Sequence, residues 1–159
     1  MSNIEVNIRK GIKQDLPEIL KLIKELAEYE KAPQEVTVTL EELQRDGFNE
    51  NPVFETFVAI VNNEIVGMAF YFYSYSTWKG KCVYLEDIIV KQQYRRYGIG
   101  KKLFEEVIEK SKEIGAKRMQ WQVLNWNTPA INFYKKYDAN LDEAWINGKL
   151  TEKQIKEFK

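Results

Sequence analysis

Alternating and continuous apolar segments predict strands along much of the chain. Some segments alternate apolar with polar residues, and others are runs rich in β-branched and aromatic residues, both typical of strands. The predicted strands span residues 4–9, 54–61, 65–75, 83–90, 118–124 and 143–150. The pair Asn62–Asn63 predicts a turn between the second strand and the third.

A spacing of three or four between apolar positions predicts helices in other segments. Their starts carry residues that commonly cap helices, namely Asp15, Thr39, Thr128 and Thr151. The first two helices are expected to end near Tyr29 and Gly47, and the helix after residue 98 to end at Gly115. The order β-α-α-β-β-β-α-β-α-β predicts an α/β (α+β) fold with a mixed sheet flanked by helices.

Length and charge narrow the classes of protein. The 159 residues suit one domain, over residues 1–159. Basic and acidic residues balance at 24 each, so nothing in the total indicates nucleic acid or a membrane surface as partner. No run is long and apolar enough to span a bilayer. The first five residues lack the regions of a signal peptide, so we expect a cytoplasmic protein.

The chemistry open to the chain is restricted by its lack of histidine. Histidine-ligated metal sites and His-based triads are excluded, and no metal site is expected. Proton transfer has to use Glu, Asp, Tyr, Lys or Cys. Cys82 is the single cysteine; without a histidine to activate it, we interpret it as a packing residue.

Residues 83–104 carry the most informative pattern: a buried strand, a glycine-spaced turn and the start of a helix. The first N–H groups of a helix are unpaired, and glycine lets the backbone approach an anion closely. Arg95, Arg96, Lys101 and Lys102 add positive charge. The glycine order is neither that of a P-loop nor that of a Rossmann fingerprint. A phosphate site and a plain strand-to-helix turn with solvated basic residues both remain open.

Two consecutive acids, Glu86 and Asp87, interrupt the apolar strand before this turn. Burying them without partners is costly, which favours a functional role over a pair of solvated strand-end acids. On a regular strand they face opposite sides, unless a bulge redirects them.

The stretch Y-L-E-D-I-I-V-K-Q-Q-Y-R-R-Y-G-I-G resembles the acetyl-CoA motif of the GNAT superfamily of N-acetyltransferases. It is most similar to the diamine acetyltransferases, which include the spermidine/spermine and thialysine enzymes. Residues 22–30, 75–80 and 126–135 resemble their first helix, the turn before the central strand and the segment with the catalytic tyrosine. The resemblance therefore covers nearly the whole chain in the same order.

This resemblance implies acetyl-CoA as co-substrate, bound at a splay between two parallel strands. N–H groups near Ile88 and Val90 would polarise the acetyl carbonyl, those from Arg95 to Gly100 would hold the pyrophosphate, and Asn127 would contact the cofactor arm. The implied cofactor-binding residues are Ile88, Ile89, Val90, Arg95, Arg96, Tyr97, Gly98, Ile99, Gly100, Lys101, Asn127 and Tyr134.

The same resemblance implies direct attack of an amine on the thioester in a ternary complex. Tyr134 would act as general acid toward the thiolate, since a phenol titrates at about 10, above a thiol. Glu86 would act as general base for the ammonium. Spacing alone favours a solvated aromatic on a helix face for Tyr134, and the resemblance favours the catalytic role.

The implied substrate is a primary amine of a small diamine, polyamine or thialysine-like amino acid. Carboxylates and aromatic faces attract such a cation, and the implied substrate-binding residues are Tyr29, Glu30, Trp78, Glu86, Asp87, Glu143 and Trp145. Ser76 stands where the spermidine/spermine enzymes carry an acid, which favours a shorter amine. A homodimer is expected, with Glu143 and Trp145 reaching the partner's pocket. Acetylation of protein lysines or N-terminal amines, and acyl-CoA binding without catalysis, are the alternatives.

Overall fold

The computed structural model describes residues 4–158, so the first three residues of the start considered above lie outside the described part. Two compact units are present, Met1–Gln122 and Val123–Lys159. Unit one contains β1 (Asn7–Lys10), α1 (Leu16–Tyr29), α2 (Leu40–Gly47), β2 (Glu55–Val61), β3 (Glu64–Ser76), β4 (Gly80–Val90), α3 (Ile99–Glu113) and β5 (Arg118–Gln120). Unit two contains α4 (Thr128–Lys135) and α5 (Glu152–Lys156).

The five strands of unit one form one mixed sheet in the order β1-β2-β3-β4-β5. The first three pairings are antiparallel, and β4 pairs with β5 in parallel. The parallel pairing covers Cys82–Tyr84 against Arg118–Gln120. Over Leu85–Val90 the paired neighbour in the described sheet is therefore β3 alone. The predicted mixed sheet flanked by helices is confirmed.

Helices α1 and α2 cover one face of this sheet. Leu16, Ile19 and Leu22 of α1 are fully buried and share a cluster with Met68 and Ile89 of the sheet. Each such side chain contributes about 1.5–3 kcal/mol by leaving water. This face of α1 fixes where its C-terminal end, at Tyr29 and Glu30, lies with respect to β4.

Helix α3 packs on the opposite face, close to the end of β4. A Cβ added to Gly67 would lie 3.2 Å from Leu103 Cδ1 and 2.8 Å from the Ile89 carbonyl oxygen. Gly67 is thus required sterically, because any side chain there would push α3 away from the sheet.

One extra residue lies in β4 at Glu86. Phe70 pairs with Asp87, whereas the next residue of β3, Tyr71, pairs with Leu85. Neighbouring residues of β3 face opposite sides of the sheet, so their partners Asp87 and Leu85 also face opposite sides. On a regular strand, two residues separated by one position would share a face. The bulge turns Asp87 to the α1 face, where Phe70 packs.

Several boundaries differ from the sequence-based predictions. β1 begins at Asn7 rather than residue 4, and β5 ends at Gln120 rather than residue 124. The strand predicted over 143–150 is wrong: these residues are exposed and form no strand. A strand needs a neighbour for its backbone hydrogen bonds, and among the described residues unit two contains no other strand.

The predicted turn at Asn62–Asn63 and the caps at Thr39 and Thr151 agree with the structure. Asn62 and Asn63 adopt left-handed conformations, with φ of 47° and 63°, as a tight hairpin turn requires. Thr39 and Thr151 each form a capping box at the start of α2 and α5. No helix in residues 4–158 combines the length and apolar character that a membrane crossing demands.

Candidate active site

The glycine-spaced turn leads directly into α3. Gly98 is the N-cap, with φ of 76°, a conformation that favours glycine. The Lys102 N–H donates to the Gly98 carbonyl at 3.1 Å. The N–H groups of Ile99, Gly100 and Lys101 precede this first helical bond, so they have no acceptor within the helix.

Space above Gly100 is open. A Cβ added there would meet only Val90 Cγ2, at 3.8 Å, which is ordinary contact. Glycine in a helix costs about 1 kcal/mol relative to alanine, and the packing of the described residues does not demand it. The first turn of α3 carries no acidic residue. These features fit close approach of an anion to the helix N-terminus.

Arg95 ties the turn to two other elements. Its Nε donates to the Val90 carbonyl at 3.1 Å, and its guanidinium carbon lies 5.2 Å from the centroid of the Tyr29 ring. The Arg95 N–H donates to the Gln92 carbonyl at 3.2 Å. Because the Arg95 N–H already has an acceptor, it is not available to a phosphate. The predicted phosphate-binding N–H groups are therefore those that follow Arg95.

Arg96 has a φ of 70°, and its side chain, like those of Tyr97 and Lys101, is exposed. These side chains are available to a ligand at the turn.

The end of β4 brings the remaining predicted carbonyl-binding residues next to this turn. Ile88 and Val90 are half-buried and pair with Ala69 and Gly67, on the face covered by α3. Ile89 is buried in the α1 cluster. Since the β5 pairing ends at Tyr84, the second edge of β4 has no paired strand among the described residues along this stretch.

Three carboxylates, those of Asp87, Glu86 and Glu30, lie near one another where β4 meets the end of α1. Burial, and then the negative charges of Glu86 and Glu30, raise the pKa of Asp87 to about 7. Burial also raises the pKa of Glu30, the residue that ends α1. Glu86 is exposed. Among residues 4–158, no hydrogen bond or ion pair to the Asp87 carboxylate is found, so this site favours a cationic ligand.

Tyr84 belongs to the same cluster and was missed by the sequence analysis. Its ring stacks on that of Phe72, with centroids 5.0 Å apart. Burial, and then the charges of Glu86 and Asp87, raise the pKa of its phenol. On a regular strand Tyr84 and Asp87 would face opposite sides of the sheet, but the bulge places them on the same face. The sequence alone does not show the bulge, so it could not show that Tyr84 lies beside Asp87.

Trp78 lies far from these carboxylates within one chain. It occupies the β3–β4 turn and is 82% exposed. Ser76 Oγ stabilises the turn by accepting the N–H groups of Trp78 at 3.3 Å and Lys79 at 3.2 Å. From Gly80 to Asp87 the strand rises by roughly 20 Å. The structure does not bring Trp78 to Asp87 in the same subunit.

The other predicted site residues belong to unit two. Asn127, not Thr128, is the N-cap of α4: its Oδ1 accepts the Ala130 N–H at 3.4 Å. Asparagine and threonine are both common N-cap residues, so the sequence does not decide between Asn127 and Thr128. In the structure Thr128 is already the first helical residue. Tyr134 is buried, and its ring centroid lies 5.3 Å from that of Phe133. Glu143 and Trp145 are exposed, Trp145 by 73%.

Solved structures of acetyltransferases share this fold. An aminoglycoside acetyltransferase from an uncultured soil metagenomic sample, in complex with trehalose, has a TM-score of 0.76 at 24% identity, covering 92% of this chain and 95% of that one. An aminoglycoside N-acetyltransferase in complex with CoA has a TM-score of 0.74 at 19% identity, covering 94% and 97%. At these identities the likeness shows the fold.

Sequence comparison gives the family. The chain is 42% identical over 148 residues to thialysine N-epsilon-acetyltransferase of Bos taurus, covering 87% of each, and 37% identical over 162 residues to that of Mus musculus, covering 95% of each. The model of the acetyltransferase (GNAT) family matches residues 16–138. The chain is therefore an N-acetyltransferase and belongs to the acetyltransferase (GNAT) family.

Proposed function

We propose that this protein transfers the acetyl group of acetyl-CoA to a primary amine of a small cationic substrate, a thialysine-like amino acid or a short diamine. The half-buried Asp87 carboxylate carries this proposal, because it has no cation among the described residues to offset it. Glu30 and Glu86 add negative charge around it. Such a cluster favours a ligand that brings its own positive charge.

The glycine-spaced turn suits the pyrophosphate of acetyl-CoA. Its open space at Gly100, the unpaired N–H groups from Ile99 to Lys101 and the exposed Arg96 all fit a phosphate ligand. N–H groups near Ile88 and Val90 would polarise the acetyl carbonyl, and Asn127 would hold the cofactor arm. When bound, acetyl-CoA supplies the acetyl group as an activated thioester.

Acid and base roles follow from the residue types. The amine attacks the thioester directly in a ternary complex, so it must first lose a proton to a carboxylate of the Glu86–Asp87 pair. Tyr134 donates a proton to the leaving thiolate. We expect Tyr134→Phe to lower kcat about a hundredfold without weakening CoA binding in calorimetry. An unchanged kcat would remove Tyr134 from this role.

The choice of a short amine rests on Ser76 and on the relatives. Ser76 supplies no negative charge for a distant second ammonium; its hydroxyl stabilises the turn instead. The relatives named above are thialysine N-epsilon-acetyltransferases. Thialysine and short diamines are therefore the first substrates to test, with polyamines as the comparison.

A homodimer would complete the proposed site. Trp145, Ile146 and Leu150 are 73%, 97% and 68% exposed, and exposed apolar side chains in this density mark an interaction surface. A second copy of the chain would let Glu143, Trp145 and Trp78 approach a partner's carboxylates. Sedimentation velocity should report a dimer, shifted toward monomer by Ile146→Asp but not by the matched Lys149→Asp.

The function is tested by thiol release from acetyl-CoA against thialysine, lysine, short diamines, polyamines and lysine-containing peptides. We expect turnover with a small amine and little with peptides. The exposed Glu41→Gln variant is the control and should match the wild type. Binding of CoA without turnover would indicate a non-catalytic binder, and turnover with peptides alone would indicate a protein acetyltransferase.

A further inference from the structure

We propose that Glu64, the first residue of β3, is a positioning residue for the turn proposed to bind the pyrophosphate of acetyl-CoA. Its carboxylate holds both ends of the segment that leads from β4 into this turn. The role rests on the proposed function, because it concerns the binding of the cofactor in that reaction. Glu64 lies outside the turn, and the sequence analysis did not identify it.

Glu64 contacts two side chains on the path of the chain into the turn. Its Oε1 accepts a hydrogen bond from Lys91 Nζ at 2.8 Å, and its Oε2 accepts one from the Tyr94 hydroxyl at 3.2 Å. Lys91 directly follows β4, and Tyr94 directly precedes Arg95. One carboxylate at the hairpin between β2 and β3 therefore bridges the two ends of the segment 91–94.

The backbone of this segment is short and weakly held by itself. The Lys91 N–H donates to the Val66 carbonyl at 2.8 Å, one residue beyond the paired part of β4. Residues Gln92–Tyr94 then form a single turn of 3₁₀ helix, a conformation with poorer hydrogen-bond geometry than the α-helix. The side-chain contacts of Glu64 therefore help to fix the direction in which the chain leaves the sheet.

Lys91 is more enclosed than the cation of a usual surface ion pair. Its side chain is 14% exposed, and its Nζ also lies 4.0 Å from Oε2 of Glu18 in α1. Burial lowers the pKa of Lys91, but the hydrogen bond and the charge of Glu64 raise it by more, so the net shift is upward. An isolated exposed ion pair contributes little, whereas this carboxylate engages an enclosed ammonium and a phenol together.

The turn that follows benefits from such an anchor because its conformation is unfavourable by itself. Arg96 and Gly98 have φ of 70° and 76°, and the left-handed conformation is costly for a residue with a Cβ. The contact of Arg95 Nε with the Val90 carbonyl supplies one anchor, and Glu64 supplies a second. A turn that is already ordered costs a ligand less to bind, since apparent affinity falls with the fraction of molecules in the binding conformation.

The charge of Glu64 by itself would have the opposite effect. A carboxylate near a phosphate site repels the ligand, so a role through charge alone predicts tighter CoA binding when the carboxylate is removed. Positioning of the turn predicts weaker binding. The sign of the change in CoA affinity therefore separates the two roles.

The test combines calorimetry with CoA and steady-state kinetics with acetyl-CoA as the varied substrate. Glu64→Ala should raise the Kd for CoA and the KM for acetyl-CoA about five- to tenfold. The kcat at saturating acetyl-CoA should stay within about twofold of the wild type, because the bound cofactor orders the turn. Glu64→Gln, whose amide oxygen can still accept from Lys91 or Tyr94, should recover part of the affinity.

Two further comparisons isolate the contacts. In a Lys91→Met/Tyr94→Phe background, Glu64→Ala should weaken CoA binding no further, because both of its partners are already gone. Glu113→Gln is the matched control: Glu113 accepts from Lys110 Nζ at 3.2 Å near the other end of α3, and this variant should bind CoA as the wild type does.

Each outcome decides the role of Glu64. If the wild type binds CoA and Glu64→Ala binds it equally or more tightly, the positioning role is overturned, as it is by a full further loss in the Lys91→Met/Tyr94→Phe background. Should Glu64→Ala fail to fold by circular dichroism, Tyr94→Phe replaces it; its Kd should rise about twofold, and an unchanged value overturns the role. A folded wild type that binds no CoA overturns the proposed function and this role with it.

Discussion

The guanidinium carbon of Arg95 lies 5.2 Å from the centroid of the Tyr29 ring. The first residue precedes α3 and the second ends α1, so the contact joins the phosphate-binding turn to the helix end that carries Glu30. Two parts of the proposed site that are distant in sequence are thereby held together.

This contact should be measurable as a coupling energy. In a double-mutant cycle with Arg95→Met and Tyr29→Leu, we expect a coupling of about 0.5–1 kcal/mol, the usual range for a partly exposed cation–π pair. Urea unfolding monitored by fluorescence measures it. Tyr29→Phe retains the ring and should retain the coupling; equal coupling losses with Phe and Leu would contradict the assignment to the ring.

Asp87 should make the fold less stable as the pH rises. Its pKa is about 7 in the folded protein against 3.8 ordinarily, so the fold binds the proton more tightly than the unfolded chain does. The associated stability is complete below about pH 4 and is lost as the pH rises toward 7.

Asp87→Asn removes this charge. We expect the variant to exceed the wild type in free energy of unfolding by about 2 kcal/mol at pH 8, below the full value of the shift because the group is only half-buried. The difference should vanish near pH 4. Urea titrations at the two pH values test this, and a difference independent of pH would contradict it.

Gly98 and Gly100 should respond oppositely to alanine. Gly100→Ala should stabilise the protein by about 0.5–1 kcal/mol, because α3 gains a better helix former and the new Cβ has room. The same Cβ would occupy the space proposed for pyrophosphate, so the affinity for CoA should fall at least tenfold.

Gly98→Ala is the matched comparison. Its φ of 76° is unfavourable for alanine, so it should destabilise the protein by about 1–2 kcal/mol. Denaturant unfolding and CoA calorimetry on both variants provide the measurements. If Gly100→Ala binds CoA with unaltered affinity, the proposal that this turn holds the pyrophosphate is contradicted.

Ser76 offers a test of substrate length. Ser76→Asp should preserve the turn, since aspartate can accept the N–H groups of Trp78 and Lys79 as serine does. The added charge should raise kcat/KM for spermidine several-fold relative to thialysine. Ser76→Asn, which is uncharged, controls for the change in shape, and an equal gain in that variant would contradict a charge effect.

Much of the fold could be predicted because its signals are local. Alternation and apolar runs identified β2, β3 and β4, and capping residues identified the starts of α2 and α5. The strand predicted at residues 143–150 failed because the sequence pattern does not reveal whether a pairing neighbour exists. The Thr128 prediction failed by one residue because Asn127 caps as readily.

The candidate site was predictable as a set of residues but not as a geometry. The turn from Arg95 to Gly100 was recognisable from its glycines, yet the Arg95 contact with Tyr29 joins residues far apart in sequence. Tyr84 was missed because its proximity to Asp87 depends on the bulge. The register of β4 against β3 places Tyr84 and Asp87 on one face, and a local sequence pattern does not predict that register.

The bulge also determines which genetic changes β4 can absorb. Exchanging Glu86 for another residue leaves the strand register intact. Deleting that codon would make Leu85 and Asp87 direct neighbours that still face opposite sides, so Ile89 would stay in the α1 cluster and Asp87 on the α1 face. Position 86 is thus a place where β4 can lose or exchange one residue and still keep both faces of the strand in order.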